Sequence, residues 1–181
     1  MRACDALVVA APFGAPHHEF PPRADVSARL VAWVRAERAQ RRVPALVVDT
    51  PLDGVEVATQ LASAGLAIAG SKSIRDAAAR LDARLAPAAR ADAIVRLERD
   101  RVRAAPAALV SGRALDPHAY AAGFAWPFAA GRGELLAWIE HTRAREIFVT
   151  GTCAEPIAEA LGPNARTLGP PRQMTLFEAR P

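Results

Sequence analysis

The chain has 181 residues, about half of them hydrophobic and only 6% aromatic, with a formal net charge of +4. That length fits one domain or a little more, and it is enough to bury a core without disulfides. The sequence holds no run of about 18 uncharged apolar residues, which argues against a membrane span. Cys4 and Cys153 lie far apart with no metal-ligand spacing, so a reduced, cytoplasmic protein is expected.

The charge has a bland side. Of 23 basic residues only Lys72 is lysine, and the arginines are scattered along helices. Such a distribution reads first as a solvated surface, although arginine is also the better phosphate clamp.

In chain order, "DALVVAA" (5–11) is a short apolar run expected to be a buried strand; its length and Asp5 argue against a signal peptide. "PFGAPHHEFPPR" (12–23) is a Pro/Gly loop. From Asp25 to Arg42, Val26, Leu30, Trp33 and Val34 fall at helical spacing. "PALVVDTP" (44–51) is a second strand, and "DGVEVATQLASAG" (53–65) a helix closed by Gly65. "LAIAG" (66–70) is a third strand. "SIRDAAARLDARLAP" (73–87) is an amphipathic helix with Ser73 as N-cap and Asp76 three positions on. "DAIVRLERDRV" (92–102) is expected to be another helix, and "PAALVSGRA" (106–114) a fourth strand. "GELLAWIEHTRA" (133–144) predicts a helix, "REIFVTG" (145–151) a strand, "AEPIAEALG" (154–162) a helix and "ARTLG" (165–169) a last short strand.

Alternating strands and helices imply α/β architecture, a parallel sheet in a three-layer sandwich, covered on both faces. The body would span residues 1–168. From Gly169 onward "GPPR" cannot continue a helix or a central strand, so residues 169–181 read as an extended tail.

Little in the body points to catalysis. No phosphate-loop or dinucleotide fingerprint is present. His17, His18, His118 and His141 show no i, i+4 pair on a helix, and no metal or cofactor is expected. "FVTGTCAEPI" places Thr150, Gly151, Thr152 and Cys153 at a strand-to-helix turn. Backbone N–H groups at Thr150, Gly151 and Thr152 form a candidate anion site, and a thiol at Cys153 could be acidified by the helix. With no paired base nearby in sequence, a helix cap and a small turn residue are the simpler reading.

Three stretches, in order, resemble the C-terminal part of the β-CASP branch of the metallo-β-lactamase superfamily, especially bacterial DNA exonucleases associated with DNA ligases. "DALVVAAPFGAP" (5–16) is similar to the strand that leads into the β-CASP insert. "VPALVVDTPLDGVEVATQLASAGLAIAGSKSI" (43–74) resembles the strand, helix and strand of the insert. "PFAAGRGELLAWIEHTRAREIFVTG" (127–151) resembles the return into the lactamase fold, with the Glu-Leu pair kept as Glu134 and Leu135. The resemblance therefore implies a β-CASP-like body. It also implies a loss: where the family has a strand-end glutamate, two histidines and an aspartate, this chain has Ala10, Ala129, Gly151 and Gly131. The half carrying the His-x-His-x-Asp-His ligands is missing from the sequence. A methyl group or a hydrogen cannot ligate zinc, so nuclease activity is not expected from this chain alone.

The tail carries "QMTLF", Gln173, Met174, Thr175, Leu176 and Phe177, four residues from the end and after Pro170 and Pro171. It resembles the pentapeptide by which bacterial polymerases and repair proteins dock on the sliding clamp, commonly Gln-Leu-Ser/Asp-Leu-Phe. There Leu and Phe enter an apolar pocket and the Gln amide fixes register. The alternative is that Met174, Leu176 and Phe177 fold back onto the body.

The combined expectation is a non-catalytic accessory protein of bacterial DNA repair or replication. Its partners would be the DNA sliding clamp and a nuclease, ligase or other repair protein, with Arg23, Arg113 and Arg132 as candidate DNA phosphate contacts. Two alternatives stand beside it. One is a small α/β hydrolase or nucleotide-binding protein using the "VTGTC" turn, with a pocket lined by Thr150, Thr152 and Cys153. The other is a split nuclease subunit whose catalytic half sits on another chain and packs near residues 5–11.

Overall fold

The computed structural model describes residues 4–100 and 106–169. The chain is α/β, with two all-parallel sheets flanked by helices, in keeping with the layered sandwich its sequence implies. It divides into two compact units: residues 20–128 form one, and they interrupt the other, which is made from residues 1–19 and the segment from 129 onward.

The 20–128 unit holds five strands, β2 (Ala45–Val48), β3 (Ile68–Gly70), β4 (Ala93–Leu97), β5 (Ala107–Ser111) and β6 (Ala122–Ala125), in the order β3-β4-β2-β5-β6. Its helices are α1 (Arg23–Ala39), α2 (Pro51–Ser63) and α3 (Lys72–Arg80). Alternate strand residues Leu46, Val48, Ala93, Val95, Ala108 and Val110 form one core with Val26, Leu30, Val34, Val57, Leu61 and Ile74 of the helices. The helix α2 starts on a capping box, in which the Thr50 hydroxyl accepts from the Asp53 N–H and Asp53 accepts from the Thr50 N–H, with Pro51 opening the helix. Gly65, at φ +81°, follows α2 in the left-handed conformation expected of it.

Three local readings change here. The described part of the stretch expected to be a helix over 92–102 is not one: Ala93–Leu97 is β4, paired in parallel with β3 and β2. Burial alternates along it, Ala93, Val95 and Leu97 inward and Ile94 and Arg96 less so, a period of two rather than 3.6. The strand β6 is an addition, since "AGFA" has little β propensity and is held by pairing with β5. The N-cap of α3 is Ser71, not Ser73; the Ser73 hydroxyl instead donates to the Asp100 carboxylate at 3.3 Å.

The other unit has a three-stranded sheet of order β1-β7-β8, with β1 (Ala6–Ala10), β7 (Glu146–Thr150) and β8 (Ala165–Thr167), and helices α4 (Arg132–Thr142) and α5 (Ala154–Leu161). Leu7, Val9, Ile147 and Val149 pack with Leu135, Ile139, Cys153 and Ile157. The alternate residues of β1, Ala6, Val8 and Ala10, are exposed. No helix among the described residues is long and apolar enough to cross a membrane.

Candidate functional site

In open parallel sheets, ligands collect where strands end at their carboxyl ends. Each unit has a cleft at such a place.

In the 20–128 unit Asp49 follows the end of the central strand β2, which lies between β4 and β5. A cleft of about 360 Å³ there is lined by Val48, Asp49, Leu97, Glu98, Arg99 and Arg113. Arg113 grips Asp49 Oδ1 with two donors, Nη2 at 2.6 Å and Nε at 3.0 Å. The Ser111 hydroxyl donates to Asp49 Oδ2 and accepts from the Arg113 N–H, with Ser111 only 1% exposed. Tyr120 donates to Glu98 at 2.9 Å. The Asp49 bond holds the Arg113 guanidinium above its ordinary pKa, and burial together with Glu98 pushes the Tyr120 phenol up. The Arg96 guanidinium braces the turn after β4, donating from Nη1 to the Asp100 carbonyl at 2.6 Å. Asp100 also accepts from the Leu97 N–H, and hydrogen bonds led by Ser71 hold its carboxyl below the usual range.

This corner does not resemble a nucleophile beside its base. The Asp49 carboxylate already accepts three hydrogen bonds and is not available as a general base. Ser111 is buried and engaged through both donor and acceptor. Sequence reading did not single out Asp49 or Ser111. The available signals were an aspartate closing the apolar run "ALVV" and the hydroxyl-Gly-Arg of "VSGR", and neither is distinctive.

In the other unit, Thr150, Gly151 and Thr152 do come together, at the end of β7. They line a cleft of about 530 Å³ with Ala154, Glu155, Pro156, Thr167, Leu168 and Gly169. Gly151 has φ +102°, and a Cβ there would lie 2.9 Å from the Ala11 carbonyl oxygen, so only glycine lets β7 run this close to the end of β1. The Cys153 and Ala154 N–H groups donate to the Ala11 and Gly151 carbonyls, Pro156 has no N–H, and the first turn carries Glu155.

Cys153 does not line that cleft. It is 8% exposed, and its thiol lies 3.7 Å from the Pro12 carbonyl and 3.7 Å from His18 Nδ1. His18 Nδ1 accepts from the Gly14 and Ala15 N–H groups at 3.1 and 3.2 Å, so its lone pair is committed to the loop rather than to the thiol. Cys153 is also the N-cap of α5, without a side-chain cap bond. The pair therefore closes the 12–18 loop onto the start of α5.

The three arginines considered for DNA contact have internal partners. Arg23 pairs with Glu56 at 3.0 Å and stacks over Trp126 at 4.1 Å, Arg113 holds Asp49, and Arg132 Nη1 donates to the Gly14 and Pro156 carbonyls at 2.6 and 3.1 Å. Of the resembled family's ligand positions, Ala10 ends β1, Gly131 caps α4 and Gly151 has no room for a side chain. Gln173, Met174, Thr175, Leu176 and Phe177 lie outside the described residues. Comparison with known protein families, characterised proteins and solved structures returns no match to this chain.

Proposed function

We propose that this chain is a non-catalytic accessory protein of bacterial DNA repair or replication, working in the cytoplasm and docking on the DNA sliding clamp through Gln173–Phe177. The observation that carries this reading is the pentapeptide itself, set after Pro170 and Pro171 and close to the end of the sequence. Burying the Leu176 and Phe177 side chains is worth a few kcal/mol by area, about 1.5–3 kcal/mol each. The ordering of the segment takes part of that back, so affinity near the micromolar range is expected.

Two features of the body support the non-catalytic half. In the cleft at the end of β2, Asp49 and Ser111 are bonded to each other and to Arg113, which suits a structural role for that corner. The interruption of one unit by residues 20–128 also fits a β-CASP-like insert within a host fold. On this reading the body is a platform for a nuclease, ligase or other repair partner. The hydrolase alternative loses its nucleophile, because Cys153 is turned away from the cleft of Thr150 and Thr152.

The test is competition. The purified chain and a bacterial sliding clamp are mixed, and a synthetic peptide of the Gln-Leu-Ser-Leu-Phe type is titrated in. Displacement of the chain at peptide concentrations near the peptide's own Kd supports the reading. A complex that survives saturating peptide, or the absence of any complex, contradicts it.

A further inference from the structure

The strand order of the 20–128 unit singles out one point on its sheet. The chain leaves β2 on the way to β3, at one edge, and leaves β5 on the way to β6, at the other edge. The strands β2 and β5 are parallel neighbours, so their outgoing connections part from each other and leave a crevice between the two carboxyl ends. Open parallel sheets take their ligands at such a crevice.

Asp49 and Arg113 stand at this point, in the cleft of about 360 Å³ described above. A second cleft, of about 470 Å³, lies beside the connection from β5 to β6 and has Leu109, Pro117, His118 and Tyr120 among its walls. Glu98 and Arg113 line both. Each volume falls within the range of about 300–1,000 Å³ typical of small-molecule sites.

The groups that face the two clefts are held in place by the protein itself. Arg113 binds Asp49 through Nε and Nη2, which leaves Nη1 for a ligand acceptor. The turn that carries Glu98 and Arg99 is braced by Arg96, whose Nη1 donates to the Leu97, Glu98 and Asp100 carbonyls at 3.3, 3.4 and 2.6 Å. Tyr120 is oriented by its bond to Glu98 Oε1. Glu98 Oε2 lies 3.8 Å from Arg113, too far for a hydrogen bond, and can accept from a ligand hydroxyl. His118 rests against the backbone of β6: a Cβ at Gly123 would collide with its Nε2, so glycine there makes room for the ring. The His118 and Tyr120 rings have centroids 6.0 Å apart, with their planes tilted by 48°. Groups fixed in advance lower the ordering cost of binding.

The chemistry of the walls selects the ligand. Aromatic rings take up nucleobases by stacking. A carboxylate oxygen and a guanidinium N–H beside those rings match the hydroxyls of a sugar. Charge sets a further limit. Asp49, Glu98 and Asp116 face Arg99 and Arg113, so the lining carries no excess of positive charge and offers a phosphate no net attraction.

We propose that the paired clefts beside Glu98 and Arg113 bind a nucleoside, with its base against Tyr120 and His118 and its sugar hydroxyls toward Glu98 and Arg113. This site is separate from the C-terminal pentapeptide and does not depend on clamp docking.

The experiment is calorimetric titration of the full chain with adenosine, inosine, cytidine and uridine, and then with ribose and the 5′-monophosphate of the tightest binder. At least one nucleoside is expected to bind saturably with a Kd below about 1 mM, its monophosphate no more tightly, and ribose at least about tenfold more weakly. Tyr120→Ala, which removes a ring, and Glu98→Gln, which removes a charged acceptor, should each weaken binding about tenfold. Thr152→Ala, in the cleft of the other unit, should leave it unchanged; circular dichroism confirms that each variant is folded. Absence of saturable binding by all four nucleosides in the millimolar range overturns the proposal. So does binding that neither Tyr120→Ala nor Glu98→Gln weakens, or that Thr152→Ala abolishes. A monophosphate that binds at least about tenfold more tightly than its nucleoside also overturns it, since the site would then be built for the phosphate.

Discussion

Replacing Gly151 by alanine tests how the end of β1 is joined to the turn after β7. The new Cβ would lie 2.9 Å from the Ala11 carbonyl oxygen and 3.0 Å from its carbonyl carbon, both backbone atoms that cannot swing aside. Two hydrogen bonds hold the strands there, Ala11 N–H to the Thr150 carbonyl at 2.7 Å and Cys153 N–H to the Ala11 carbonyl at 2.9 Å. Relieving the overlap weakens both, at about 1 kcal/mol each. The backbone at φ +102° adds about 1–2 kcal/mol for any residue with a Cβ. The sum is about 3–4 kcal/mol, or a fall in Tm of about 10 °C for a chain of this size. Gly65→Ala is the control: its φ is +81°, but nothing lies within 4 Å of the added Cβ, so only the conformational cost remains. That is about 1–2 kcal/mol, or roughly 3–6 °C. Thermal melting by circular dichroism measures both, and hydrogen exchange in β1 and β7 localises the loss. Equal shifts for the two variants would refute the close approach of β7 to Ala11.

Asp49→Ala leaves the buried Ser111 hydroxyl without its acceptor and releases half-exposed Arg113. The orphaned hydroxyl costs about 1–3 kcal/mol and the ion pair less than about 1 kcal/mol, so urea denaturation should show a loss of about 2–3 kcal/mol; a loss below about 0.5 kcal/mol contradicts the assignment. Cys153 should resist a thiol reagent in the folded chain while partly exposed Cys4 reacts, and rapid modification of both cysteines would contradict the burial of Cys153. Asp100 titrates below its ordinary value because Ser71, and then Leu97 and Ser73, bond its ionised form. A depressed carboxyl stabilises the fold above its unfolded pKa of about 3.9, and that contribution is lost as pH falls through the folded value. Wild type should therefore out-melt a Ser71→Ala/Ser73→Ala variant at neutral pH, with the gap closing as pH falls below about 4; a gap independent of pH would count against the Asp100 interaction.

Much of the fold was readable because buried parallel strands are continuous apolar runs. "ALVVA", "ALVV" and "EIFVT" announce themselves in this way, and helices between them repeat every three to four residues. The errors fall where that signal is diluted. Residues 92–102 carry Arg96, Glu98, Arg99 and Asp100, good surface helix residues, and only pairing on both sides makes Ala93–Leu97 a strand. The "AGFA" of β6 has one large side chain, so tertiary pairing decides its state. Ser71 and Ser73 are both plausible caps; Ser71 takes the position because its backbone is extended and its N–H donates to the Val95 carbonyl of β4, a partner distant in sequence. The Asp49–Ser111–Arg113 corner was unreadable for the same reason: its members are about 60 residues apart and meet only because β2 and β5 are neighbours. The strand-to-helix turn at Thr150–Thr152 was readable in place, whereas the direction of the Cys153 thiol depended on Pro12 and His18 from the other end of the chain.

The central claim is that Gln173–Phe177 docks on a sliding clamp. Its most direct test is calorimetric titration of a bacterial clamp with the full chain, wild type beside a Gln173→Ala/Leu176→Ala/Phe177→Ala variant. The account predicts saturable binding near the micromolar range for wild type, weakened at least about a hundredfold in the variant, since each buried anchor is worth about 1.5 kcal/mol or more. Equal binding by both proteins, or none by either, would contradict it.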